Sequence, residues 1–428
     1  MTACRWSEAP AGEQCSKRSG ELSPLARLAP SLAARLALTL AVVAGAFVLP
    51  VTPAAALDNG LARTPPMGWN SWYTSRCGVT EDVVLRNARA LVDTGMADLG
   101  YRYVNVDGCW EATKRDSDGN LTGDPQKFPG GMAALGRAIH GMGLKYGIYT
   151  SAGPTICSHE HPGSLDHYRR DMKTFASWKV DYVKVDWCSL PAKTDPRQVY
   201  ARVARAAAES GRKMLVTVST PGVDKPWRWA GAYGNTWRIS ADADGTWKGV
   251  MRSLDVDAPL YPYAGPGGWN DPDMLQVGDR VLSADEERSH LSLWSMLAAP
   301  LLEGYDLPSL PLASLAVLKS RDVIAVDQDR LGHQARRVRR KDGVELWVRR
   351  LRNKATAVLL LNRSGASRSA KVKLDDVPGL PDAAGYDARE LWSGATGTPG
   401  RHGALKATIP RHGVAMWRIL PRPTSSAP

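Results

Sequence analysis

From about residue 57 to residue 335 the chain alternates two kinds of run, and this alternation limits its fold more than any other feature. The first kind is short and rich in β-branched and aromatic residues: Tyr103-Val104-Asn105-Val106, Tyr146-Gly147-Ile148-Tyr149, Tyr182-Val183-Lys184-Val185, Leu215-Val216-Thr217-Val218 and Thr236-Trp237-Arg238-Ile239. Such runs read as buried strands. The second kind repeats its apolar positions every three or four residues, over 83–92, 132–142, 168–178, 199–208 and 291–297. That period reads as amphipathic helix. Strand-then-helix units demand a parallel sheet covered by helices. A segment of this length with about eight such units suits a closed (β/α)8 TIM barrel. A doubly wound sheet is the competing arrangement, but it brings a glycine-rich phosphate loop after its first strand. None follows Trp69-Asn70-Ser71-Trp72.

Past residue 335 the pattern changes. Lys341-Asp342-Gly343-Val344 carries a hairpin turn signal, and Glu345-Leu346-Trp347-Val348-Arg349 alternates polar with apolar residues. Further strand-like runs lie at 357–361, 370–374 and 414–419, separated by Gly and Pro. Residues 336–420 therefore read as a C-terminal antiparallel β-sandwich domain, and 421–428 as a disordered tail. The basic cluster Arg336, Arg337, Arg339, Arg340 and Lys341 reads as a solvated strand edge, with no nucleic-acid partner. The net charge of +12 is general, and the 43% hydrophobic and 23% charged fractions exclude a disordered or multi-span membrane chain.

The first 56 residues have the order of a secretory signal. Scattered positive charge (Arg5, Lys17, Arg18, Arg27, Arg35) precedes an uncharged apolar run over 36–49, then Val51-Thr52-Pro53-Ala54-Ala55-Ala56. The apolar run falls short of the roughly 20 residues that span a bilayer. Cleavage near Ala56 leaves a secreted protein with no membrane attachment and with Cys77, Cys109, Cys157 and Cys188. An even count in an exported chain favours two disulfides over a metal site, and three pairings are open.

In a (β/α)8 barrel the chemistry gathers at the C-terminal ends of the strands. Here those ends carry acids: Asp107 after Val106, Asp186 after Val185, Asp242 and Asp244 after Ile239, and Asp271 and Asp273 after Trp269-Asn270. A single such acid reads as a helix cap or an ion-pair member. Several on one rim, interleaved with Trp69, Trp72, Trp110, Tyr149, Trp187 and Trp269, suit a sugar, because carboxylates bind hydroxyls and ring faces stack on the C–H side of a pyranose. Two carboxylates also hydrolyse a glycoside with no cofactor or metal. Lys184 shares a strand face with Asp186 and is placed to keep it ionised. Arg238, four residues before Asp242, is placed to orient it. His159-Glu160-His161 reads as surface polar sequence.

These residues resemble glycoside hydrolase family 27, the α-galactosidase and α-N-acetylgalactosaminidase family. The resemblance rests on Pro66-Met67-Gly68-Trp69-Asn70-Ser71-Trp72, on Asp181-Tyr182-Val183-Lys184-Val185-Asp186, and above all on Gly267-Gly268-Trp269-Asn270-Asp271-Pro272-Asp273-Met274-Leu275. It implies a retaining exo-glycosidase with Asp186 at the nucleophile position and Asp242 at the acid/base position. It places Trp72, Asp107, Tyr149, Lys184, Arg238 and Asp273 at sugar-contact positions, and Ser219, at the end of the fifth strand, is read as a substrate-binding residue with them. It also implies the pairings Cys77–Cys109 and Cys157–Cys188. Three places depart from the family pattern. Gly108 and Ser151 stand where Asp is usual, and Val218-Ser219-Thr220-Pro221 stands where Cys-Glu-Trp is usual. The catalytic positions are kept and the glycone-reading ones are altered. An α-galactosidase-like activity is the expectation. The same chemistry on a β-L-arabinopyranoside, an α-N-acetylgalactosaminide or an isomaltose-type glucan is the alternative, together with a non-catalytic carbohydrate-binding protein.

Overall fold

The structure is a computed structural model that describes Leu57 and residues 59–422. The signal segment read over 1–56 and residues 423–428 of the expected tail lie outside the described residues. Among the described residues no helix is long and apolar enough to cross a membrane.

Eight parallel strands form one curled sheet: β1 Met67–Asn70, β2 Tyr103–Val106, β3 Lys145–Ser151, β4 Tyr182–Asp186, β5 Leu215–Ser219, β6 Thr236–Arg238, β7 Trp269–Asp271 and β8 Leu301–Glu303. Their order is β7-β6-β5-β4-β3-β2-β1-β8. A parallel bridge between Leu275 and Glu303 joins the segment after β7 to β8 and closes the barrel. The helices are α1 Trp72–Ser75, α2 Glu81–Asp93, α3 Met132–Gly141, α4 Tyr168–Ser177, α5 Pro196–Glu209, α6 Trp247–Asp257, α7 Ala284–Leu297, α8 Leu312–Leu318 and α9 Arg321–Asp327. Their starts are written locally. Thr80 caps α2, with Glu81 and Asp82 in its first turn, and Asp195 caps α5 ahead of Pro196. Ser283 and Glu286 form a reciprocal capping box at α7.

The period of two along a strand sorts the barrel's side chains. Val104, Val106, Val183, Val185, Val216 and Val218 join the main core. The residues between them face inward. Inside the barrel Tyr103, Tyr182, Leu215, Met274 and Leu302 make a separate buried cluster. The Tyr182 and Thr236 hydroxyls each lie 2.6 Å from the Thr217 hydroxyl. Gly147 is obligatory in this layer, since a Cβ there would lie 1.8 Å from Asn105 Oδ1. The top of the same inward faces holds Asp107, Lys184, Asp186, Ser219 and Arg238.

The second domain is a β-sandwich. Its six-stranded antiparallel sheet runs β14-β13-β16-β11-β10-β9, facing the pair β12-β15. These strands are β9 Arg336–Lys341, β10 Val344–Arg350, β11 Thr356–Asn362, β12 Arg368–Lys373, β13 Tyr386–Glu390, β14 Thr396–Gly397, β15 Ala404–Ile409 and β16 Val414–Pro421. Pro421, read as tail from sequence, ends β16. Leu346, Val348, Val358, Leu360 and Trp417 fill the sandwich core. Trp347, Leu359, Leu361 and Met416, on the opposite face, belong to the barrel's core. Strands β10 and β11 are therefore covered on both sides. For this reason Glu345 and Arg349, polar in the alternating pattern, are buried rather than solvated.

Candidate active site

Two walls of charged side chains rise from the strand ends. On the first, Asn70 donates to Asp107 Oδ2 at 2.8 Å, and Lys184 Nζ reaches the two Asp107 oxygens at 2.9 and 3.2 Å. The Lys184 ammonium also lies 5.3 Å from the centre of the Tyr149 ring. The Lys184 charge favours ionised Asp186, as their shared strand face implies, while its hydrogen bonds go to Asp107 across β3. Burial disfavours the Lys184 charge, but Asp107 and Asp186 outweigh it and hold the ammonium firmly protonated.

Asp186 ends β4 and faces Ser219, which ends β5 and is its register partner. The Ser219 hydroxyl donates to Asp186 Oδ1 at 2.6 Å. Burial pushes the Asp186 carboxyl above its ordinary range, opposed by the charge of Lys184 and by the Ser219 hydrogen bond.

On the second wall, Arg238 extends from β6 to Asp242 Oδ1 at 3.0 Å and Asp273 Oδ2 at 3.1 Å. The two carboxylates differ in kind. Asp273 is 1% exposed, while Asp242 is 60% exposed and points into open space. Burial raises Asp242, yet Arg238 and Lys184 win and hold its carboxyl below the usual range. Asp273 has a left-handed φ of 94° and accepts bonds from Tyr73 at 2.8 Å, the Ala243 amide at 2.7 Å and the Met274 amide at 2.8 Å. Its oxygens are thus committed to protein groups. Trp72 lies at the mouth, with the Arg76 guanidinium 5.4 Å from its ring centre.

Disulfides pin the rim. Cys77–Cys109 ties the turn after β1 to the turn after β2, and Cys157–Cys188 ties the loop after β3 to the loop after β4. Cys157, Asp186 and Cys188 lie close enough together to suggest a metal cluster. Both sulfurs are in the disulfide, so neither is a thiolate ligand. The same disulfide draws in the loop that holds His159-Glu160-His161. His159 and Glu160 are exposed as expected, but His161 is buried beside the Thr155–Pro162 bridge.

The alpha galactosidase A family model matches residues 64–329, and the alpha galactosidase C-terminal beta sandwich domain matches 341–419. This chain belongs to the α-galactosidase family, glycoside hydrolase family 27. It is a retaining glycoside hydrolase with a carbohydrate substrate. An alpha-galactosidase of Oryza sativa subsp. japonica is 42% identical over 366 residues, covering 86% of this chain and 87% of the relative. Alpha-galactosidase A of Cellvibrio japonicus (strain Ueda107) is 38% identical over 397 residues, covering 88% and 97% respectively. The crystal structure of alpha-galactosidase I from Mortierella vinacea superposes with a TM-score of 0.80 at 32% identity, covering 86% of this chain and all of the other.

Sequence reasoning missed two participants in the family member's pocket. Half-buried Tyr73 donates its hydroxyl to Asp273, and Asn70 supports Asp107. Asn70 was within reach: it lies on β1 with the parity of Gly68, whose register partner is Tyr103, so it faces Asp107 across the strand ends.

Proposed function

We propose that this chain is a secreted exo-acting α-galactosidase in which Asp186 is the nucleophile and Asp242 the acid/base. One observation carries the reading: Asp186, at the end of β4, and Asp242, just past β6, each keep an oxygen that accepts no N–H or O–H donor, and each lies beside a cation. Asp186 attacks the anomeric carbon while Asp242 passes its proton to the leaving oxygen. Water then enters from the vacated side, gives a proton back to Asp242 and frees Asp186. Lys184 and Asp107 are the hydroxyl-binding pair beneath the ring, with Tyr149 and Trp72 as its walls. Arg238 orients Asp242, and Asp273 orients Arg238. The names of the relatives support galactose as the glycone. Two disulfides support an oxidising destination, in keeping with the signal read over 1–56.

The test is a panel of aryl α-galactoside, α-N-acetylgalactosaminide and β-L-arabinopyranoside with an α-1,6-glucan. Preference for the α-galactoside by kcat/KM is the expected result. Preference for another member would transfer the same two-aspartate chemistry to that glycone. Binding across the panel with no turnover would end the catalytic reading.

A further inference from the structure

The Asp186 carboxylate has one side-chain hydrogen-bond donor among the described residues, the Ser219 hydroxyl on Oδ1. Lys184 spends its ammonium on Asp107. The neighbour of Oδ2 is Cys157 Sγ at 3.4 Å, a disulfide sulfur with no proton to give. Ser219 is 1% exposed and ends the strand paired with β4, so the parallel ladder sets its position relative to Asp186.

We infer that Ser219 is a positioning residue for the nucleophile: its hydroxyl holds Oδ1 and leaves Oδ2 to form the bond to the anomeric carbon. This rests on the reading of Asp186 as the nucleophile. In the first half-reaction an Oδ2 electron pair forms the C–O bond, the bond to the leaving oxygen breaks, and the Asp242 proton goes to that oxygen. In the second, a water oxygen bonds to the same carbon and the Oδ2 bond breaks. Its electron pair returns to the carboxylate, and the water's proton goes to Asp242. A hydrogen bond to a carboxylate is roughly twice as strong as one to a neutral carbonyl. Ser219 therefore favours the states before and after the covalent ester over the ester itself. It makes Asp186 a better leaving group and a less basic nucleophile.

The experiment compares wild type with Ser219→Ala, Ser219→Cys and Ser219→Thr on an activated aryl glycoside. Folding is checked by circular dichroism and melting. In Ser219→Ala, loss of a hydrogen bond to a charged group slows breakdown of the ester by ~10–100-fold. Because the intermediate then accumulates, kcat and KM fall together while kcat/KM at its pH plateau changes less. The acid limb of kcat/KM moves up by about one pH unit. The thiol of Ser219→Cys keeps the volume but donates weakly, so it follows the alanine variant. Ser219→Thr restores the hydroxyl and the wild-type limb. A wild-type acid limb in folded Ser219→Ala or Ser219→Cys overturns the inference, as does a threonine variant that fails to restore it. Asp186→Gly with added azide separates this inference from the reading beneath it. A glycosyl azide of inverted configuration establishes Asp186 whatever the serine variants do. Undiminished hydrolysis by Asp186→Gly without azide removes the nucleophile assignment itself.

Discussion

At the rim of the barrel Arg238 meets two carboxylates, Asp242 at 3.0 Å and Asp273 at 3.1 Å. At the seam between barrel and sandwich Arg363 also meets two, Asp255 at 2.8 Å and Glu345 at 2.9 Å. The materials and distances are nearly the same, and the outcomes differ because of what covers them. Helix α6 and strands β9 and β10 enclose the seam. Glu345 there is fully buried and shared by Arg337, Arg340 and Arg363. Every charge is answered within the protein, and the network joins two domains. The rim has no such cover. Asp242 is answered on one oxygen and open on the other, and Asp186 is answered on Oδ1 alone. A site for chemistry is here an ion-pair network left incomplete on the side of the substrate.

The contrast is sharpest in Asp186→Asn. Turnover should fall by ~10⁴-fold or more, as for loss of a nucleophile elsewhere. The melting temperature should hold or rise, because an amide removes a buried charge that folding disfavours. A comparable fall in stability would mean that Asp186 belongs to the scaffold. Glu345→Ala should behave in the opposite way. It leaves Arg363 and Arg337 facing each other with one partner lost, at ~3–5 kcal/mol of stability. The kcat of the fraction that remains folded should be unchanged, as read by active-site titration alongside denaturant melts.

Asp327 carries the seam's pH response. Burial pushes its carboxyl up to about 8, against the opposing charge of Arg349. The folded state thus holds a proton that the unfolded chain releases near its ordinary value, and stability declines as pH rises from about 4 to 8. Asp327→Asn should lessen that decline in melts taken across the interval by one group's share, since buried Asp257, raised to about 7, adds to it over the same range. A slope identical to wild type would place the titrating group elsewhere.

The smallest effect separates two states of the rim. Free Asp242 is held low by Arg238 and Lys184 and is half bathed in water. A bound glycoside removes that water and disfavours the charge, so the proton is held more tightly in the complex. The basic limb of kcat should therefore lie at higher pH than the basic limb of kcat/KM. Coincident limbs would show that substrate does not cover Asp242.

Much of the barrel was legible because its signals are local. The runs over 103–106, 182–185 and 215–218 became β2, β4 and β5 with at most one residue added. The helix over 291–297 was read too short. Its first turn, Ser283 to Glu286, is a capping box that the sequence displays but the apolar period does not reach. Strand β7 shows in the sequence only as the Trp269-Asn270 strand end, and β8, three residues long, leaves no periodic trace, nor do α6, α8 and α9. The candidate site was legible as a set of acids at strand ends, because the period of two fixes which face each residue takes.

The chain alone therefore specified the barrel-plus-sandwich class, the acids on the rim and the family motifs around them. Only the folded molecule decided how those acids are shared. It gave Lys184 to Asp107, Ser219 to Asp186 and Arg238 jointly to Asp242 and Asp273. It also turned the polar side of β10 into a buried seam. The physical reason is that strand parity is set along one segment. The partner of a side chain depends on register between strands distant in sequence, and its exposure depends on what packs above it.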